Sequence, residues 1–160
     1  MEIAIRKAKP DDHERLTEIA HAAKRHWGYP ERWIEAWKDV LTITPEFITG
    51  CEVYAAVAGD EVAGFYALIP AQGKVSLEHM WVAPDRIGAG VGKELFDHAL
   101  KVAAGLDASS IEIESDPNAE GFYKRMGARR IGEVASEIEG QPRLLPLLTV
   151  DLDRTDLKSD

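Results

Sequence analysis

Three glycines at alternate positions, Gly88, Gly90 and Gly92, separate a β-rich apolar run (Val75 to Val82) from a helical pattern that follows at once. Backbone without Cβ atoms can approach a ligand closely and turn its N–H groups toward one point. The first helical turn then adds unpaired donors and the positive end of its dipole. Ile87, Gly88, Ala89, Gly90, Val91, Gly92 and Lys93 are therefore a candidate phosphate grip. Just upstream, Leu77-Glu78-His79-Met80-Trp81-Val82 carries two proton acceptors in an otherwise apolar strand. Strand alternation sends Glu78 and His79 to opposite faces. Glu78 is a candidate general base, because apolar strands rarely carry an unpaired carboxylate. A glutamate that merely faces solvent on an alternating strand fits the same pattern, and His79 is the rival base.

Two nucleotide sites fail on spacing. The dinucleotide fingerprint G-x-G-x-x-G, read from Gly88, needs glycine where Lys93 stands; read from Gly90, it needs glycine where Leu95 stands. A Walker loop needs Ser or Thr after its lysine, and Lys93 is followed by Glu94. The net charge of −9, without a basic cluster, argues against a nucleic-acid partner. The same acidity favours solubility, or a field that attracts a cationic substrate. One cysteine, Cys51, leaves no internal disulfide and fits a reducing cytoplasm, where it reads as a packing residue. No signal-peptide pattern opens the chain, and no apolar run approaches membrane-spanning length.

The elements that must position these groups follow from periodicity and breakers. Ile3 and Ile5 mark a first strand closed by Lys9-Pro10, and Asp11 or Asp12 caps a helix to about Lys24 with Leu16, Ile19, Ala20 and Ala23 inward. Gly28-Tyr29-Pro30 breaks it. A second helix carries Trp33, Trp37 and Val40/Leu41 as one stripe and ends at Thr44-Pro45. A meander follows, 52–58, 62–69 and 75–82, with a turn at Gly59-Asp60 and a connection over 70–74. The helix after the glycines stops at Gly105. Strand 110–115, helix 118–126 and a hairpin turning near 140–142 complete the chain. Mixed helices and strands, with tight early turns and late crossovers, indicate an α+β fold with a largely antiparallel sheet. The expected organisation is one domain over residues 1–153, with a frayed tail over 154–160.

The sequence resembles the GNAT superfamily of N-acetyltransferases over nearly its whole length. The resemblance is carried by Val82-Ala83-Pro84 with Gly88-Ala89-Gly90-Val91-Gly92-Lys93-Glu94-Leu95, and by the run from Asp116 to Ala128 containing Phe122-Tyr123-Lys124-Arg125-Met126-Gly127. The family's loop opens on Gln or Arg, where this chain has Ile87; Arg86 or Lys93 are the polar substitutes nearby. What the resemblance implies is a mixed, splayed sheet flanked by helices, with acetyl-coenzyme A as acetyl donor. Its pantetheine arm would lie between the strand ending at Val82 and the strand around Ile113, pairing with backbone near Met80, Trp81 and Val82. The thioester would then sit close to Glu78.

Acetyl transfer to an amine poses two proton problems. An alkylamine with a pKa of about 10.4 must be deprotonated before it attacks, and the departing thiolate needs a proton. Glu78 is the candidate for the first task. Tyr123, which matches the family's Phe-Tyr-x-x-x-Gly pattern, is the candidate for the second. Asn118 is a candidate coenzyme contact, although the family's asparagine lies seven residues before the tyrosine, where Asp116 stands. Trp27 and Tyr29, beside the Gly28 break, are candidate acceptor-binding residues, while Trp33 and Trp37 fit a core stripe. The expectation is a cytoplasmic enzyme moving acetyl directly to a primary amine, without metal, with homodimerisation expected by family analogy only. The alternative is a coenzyme A-binding sensor or partner module without turnover.

Overall fold

In the computed structural model, which describes residues 2–152, a stretch of alternating apolar residues opens the chain as β1 (Ile3–Lys7). Its exit is fixed by Asp12. The Asp12 carboxylate accepts both Arg6 guanidinium nitrogens, at 2.8 and 3.0 Å, and the Lys9 N–H at 2.7 Å. The arginine contacts hold the Asp12 pKa below the usual carboxylate range. Asp12 thus anchors the turn before α1 (His13–His26) without forming a side-chain cap to it.

α1 runs two residues past the expected end, and the segment after Pro30 differs from its expectation. α2 spans only Glu31–Ala36, and Val40 is 67% exposed, so the stripe ends at Trp37 and Leu41. Thr44-Pro45 does not close a helix; it starts one. The Thr44 hydroxyl accepts the Phe47 N–H at 3.0 Å and Pro45 takes the first position of α3 (Pro45–Gly50), where its missing N–H costs nothing. Thr17 ties this region to α1: its Oγ1 accepts the Ile43 N–H at 2.8 Å and donates to the Ile43 carbonyl at 3.2 Å.

β2 (Glu52–Ala58), β3 (Glu61–Ala71) and β4 (Lys74–Val82) form the meander. The connection expected over 70–74 contracts to Gln72-Gly73, both at positive φ, and β3 continues through the exposed Pro70. After α4 (Val91–Gly105) come β5 (Ser110–Glu114), a 3-10 turn over Pro117–Ala119 and α5 (Glu120–Arg125). The final hairpin, β6 (Arg129–Ile138) and β7 (Gln141–Asp151), turns at Glu139-Gly140, so Gln141 and Pro142 already belong to the strand. Among the described residues the sheet has seven strands in the order β1-β2-β3-β4-β5-β7-β6. β1 pairs antiparallel to β2, β5 and β6 pair antiparallel to β7, and β4 pairs parallel to β5. This is the α+β, mixed and largely antiparallel sheet that the sequence implied. The frayed tail expected from residue 154 lies outside the described residues.

The described residues divide into two compact units, one of residues 2–67 with 79–95 and one of residues 68–78 with 96–152. In the first, Leu16, Ile19, Ala20, Leu41, Ile43, Ile48, Val53 and Phe65 form the core, with Trp37, Phe47, Cys51 and Trp81 packed against it. In the second, Phe96, Ala99 and Ala103 of α4, Ile111 and Ile113 of β5, and Leu148 of β7 are buried.

Candidate functional site

The glycine turn belongs to the first unit. β4 ends at Val82, the Ala83 N–H reaches the Ala63 carbonyl at 2.8 Å, and a 3-10 turn over Pro84–Arg86 leads into the loop. Gly88 and Gly90 both sit at φ +88°, the left-handed region that favours glycine. A Cβ on either would meet nothing within 4 Å, so the conformation and not crowding selects glycine there. Gly92 differs from the other two: it lies in the first turn of α4 and needs no left-handed backbone. The Glu94 N–H bonds to the Gly90 carbonyl at 3.1 Å. The N–H groups of Val91 and Gly92 therefore precede the helical ladder and have no intrahelical acceptor. The loop combines open space, left-handed glycines and helix-start donors, which fits a diphosphate. Ile87 is 53% exposed, and Arg86 faces Glu61 at 3.9 Å.

Upstream, Met80, Trp81 and Val82 are half-buried on β4. Gly64 of β3 lies so close that a Cβ there would stand 2.7 Å from the Trp81 carbonyl oxygen and 3.1 Å from Val91. Sequence reasoning passed over Gly64, though a glycine inside a strand is the usual mark of a close approach. His79 is buried between Phe47 and Phe65, with ring centroids 5.6 and 6.0 Å away, and its Nδ1 accepts the Trp81 Nε1–H at 3.0 Å. Burial pushes its pKa down to about 4. His79 is a neutral packed ring.

Trp27 is 39% exposed against His26, and Tyr29 packs on Trp33 and Trp37 at 5.9 and 5.0 Å. Of these rings, Tyr29 and Trp37 face Lys24, another residue that the sequence reading did not single out.

The second unit holds the remaining candidates. β4 and β5 pair at Val75–Ile111 and Ser76–Glu112. Beyond that register lies a pocket of about 280 Å³ lined by Ser76, Leu77, Glu78, Glu112, Glu114, Val134 and Leu147. Glu78 is exposed and shares this pocket with two further glutamates, of which Glu112 also holds Lys74 at 2.8 Å. Leu77, Val134 and Leu147 give it apolar walls. An ammonium on an alkyl chain matches such a lining. Glu112 and Glu114 were legible as the outward positions beside Ile111 and Ile113, but nothing local tied them to Glu78.

Tyr123 is buried, with its ring 5.9 Å from Phe96 and 5.3 Å from Phe122. Burial, with Asp116 adding to it, pushes the phenol pKa far up, so the hydroxyl keeps its proton at neutral pH. Asn118 is exposed; its N–H and its side-chain amide both donate to Asp116 Oδ1, at 2.8 and 3.0 Å. The two residues between which the register was ambiguous are thus one hydrogen-bonded turn. Among the described residues no group of His, Cys, Asp and Glu could hold a metal ion, and no helix is long and apolar enough to cross a membrane.

Residues 13–128 match the model of the acetyltransferase (GNAT) family. The chain is 29% identical over 160 residues to the peptidyl-lysine N-acetyltransferase YjaB of Salmonella typhimurium, covering 94% of this chain and 98% of that one. Among solved structures, a GCN5-related N-acetyltransferase from Rhodopseudomonas palustris superposes with a TM-score of 0.80 at 21% identity, covering 95% and 97% of the two chains. The PaiA N-acetyltransferase of Thermoplasma acidophilum, solved in complex with coenzyme A, gives 0.74 at 20% identity, covering 94% and 99%. The structural likenesses are of fold.

Proposed function

Since the chain belongs to the GNAT acetyltransferase family, we propose that it transfers acetyl from acetyl-coenzyme A directly to a primary amine, with a lysine side chain of a peptide as the foremost acceptor class. The observation that carries the donor assignment is the left-handed pair Gly88 and Gly90 leading straight into the N-terminal N–H groups of α4 at Val91 and Gly92. When bound, acetyl-coenzyme A supplies the thioester. The chain's own residues do the rest. Backbone N–H groups over 87–93 hold the diphosphate, and the backbone of Met80, Trp81 and Val82 pairs with the amides of the pantetheine arm, as an added strand would.

Glu78 takes the proton from the acceptor ammonium. It is preferred to His79, whose buried ring already accepts from Trp81 and resists protonation. The shared lining of Glu78, Glu112 and Glu114 favours a cationic amine over an alcohol. Tyr123 keeps its proton until a thiolate needs it. Asn118 and Asp116 present one polar turn toward the coenzyme, and Trp27 and Tyr29 contact the acceptor. The one cysteine, Cys51, caps α3, and none of the proposed roles calls on it as a covalent acyl carrier.

The test is release of free thiol from acetyl-coenzyme A over a panel of lysine peptides, polyamines, free amino acids and aminoglycosides. Transfer to a lysine peptide, seen as the acetylated product by mass, supports the reading. Binding of acetyl-coenzyme A with no amine accepted overturns it in favour of a coenzyme-binding module.

A further inference from the structure

Three rings of the first unit face one ammonium. Lys24, in the last turn of α1, holds its Nζ 4.2 Å from the ring centroid of Trp37, 4.9 Å from Tyr29 and 5.9 Å from Trp81. An aromatic face attracts a cation within about 6 Å through its quadrupole. Tyr29 and Trp37 meet edge to face at 83°, which makes a corner and not a stack, and Trp33 backs both of them. Trp37 and Trp81 lean on the hydrophobic core, so two walls are anchored. All three rings and Lys24 are half-buried, so the enclosure also opens to solvent.

We propose that Tyr29, Trp37 and Trp81 form a cage for an alkylammonium group of a ligand, and that Lys24 is the internal competitor that fills it. A tethered competitor acts at an effective concentration on the order of millimolar, so an external cation binds weakly until Lys24 yields. Lys24 thereby sets the selectivity of this subsite. The inference rests on the acetyltransferase reading only for the ligand's origin, a cationic group of the acceptor; the binding itself requires neither donor nor turnover.

The experiment titrates tetramethylammonium chloride and Nα-acetyl-lysine amide against the wild type, Lys24→Ala and Lys24→Ser, following indole resonances by NMR without acetyl-coenzyme A. Sodium chloride at equal ionic strength is the control. The expected result is at least tenfold tighter binding in both Lys24 variants, reversed when Trp37→Leu is added. Equal or weaker binding in variants that keep the wild-type circular dichroism spectrum overturns the cage, as does a gain that survives Trp37→Leu. Two Lys24 variants keep the test readable should one misfold. A gain in cation binding alongside failed acetyl transfer sinks the proposed function and leaves the cage standing; the reverse pattern does the opposite.

Discussion

The indole Nε1–H of Trp81 donates to Nδ1 of His79 at 3.0 Å, across one face of β4. That bond leaves the ring's own proton on Nε2 and fixes a neutral tautomer. With the ring buried beside Phe47 and Phe65, the folded-state pKa falls to about 4 from an ordinary 6.5. Between those values the unfolded chain binds a proton that the folded chain refuses. The contribution is therefore complete above pH 6.5 and is lost as pH falls toward 4, with a span on the order of 3 kcal/mol. Urea midpoints at pH 7.5 and pH 5 are expected to fall more steeply for the wild type than for His79→Gln, which can still accept from Trp81. Parallel slopes would remove His79 as the cause.

Tyr123→Phe keeps the ring against Phe96 and Phe122 and deletes only the hydroxyl. Stability is expected near the wild type, with kcat reduced on the order of 100-fold and affinity for acetyl-coenzyme A unchanged. Because burial and Asp116 push this phenol pKa upward, the pH–rate profile of the wild type should show no tyrosine inflection below pH 10. A kcat equal to that of the wild type ends its role as the acid.

Glu78→Gln preserves shape at an exposed position, so its unfolding free energy should change by no more than about 0.5 kcal/mol. Its kcat/KM is expected to drop about 100-fold at pH 7. The deficit should shrink as pH approaches the amine pKa of about 10, where the acceptor deprotonates without help. A deficit constant across pH would recast Glu78 as an acceptor-binding residue and not a base.

Much of the fold is legible in the sequence alone, for reasons that individual residues make plain. Gly88 and Gly90 announce a left-handed turn because few other residues tolerate one, and Phe122-Tyr123 with Gly127 carries a family pattern. Elements fixed by local signals were found; boundaries fixed by competing signals were displaced. Thr44-Pro45 serves equally as the end of one helix or the start of another, and only the Phe47 N–H on Thr44 decides. Pro70 read as a break, yet an exposed strand position tolerates its missing N–H. Lys24, Glu112 and Glu114 escaped notice because their meaning depends on partners distant in sequence: Trp81 for the first, Glu78 for the other two.

Gly64 gives the sharpest test of how β3 shapes the donor site. A methyl there would stand 2.7 Å from the Trp81 carbonyl oxygen, 3.1 Å from Val91 Cγ1 and 3.2 Å from Leu95 Cδ1. The two side chains can give by rotation; the carbonyl cannot withdraw without moving the β4 backbone. Overpacking of this kind costs about 1–3 kcal/mol, or several degrees in Tm for a chain of this size. The displaced atoms belong to the strand proposed to pair with the pantetheine arm and to the first turn of the phosphate grip. Gly64→Ala should therefore weaken acetyl-coenzyme A binding at least tenfold by calorimetry, beyond its effect on stability. Gly105→Ala is the matched control, because a Cβ at that end of α4 meets nothing within 4 Å and helix propensity favours alanine. If Gly64→Ala lowers Tm but binds the donor as tightly as Gly105→Ala does, the Trp81 backbone does not form the donor's edge.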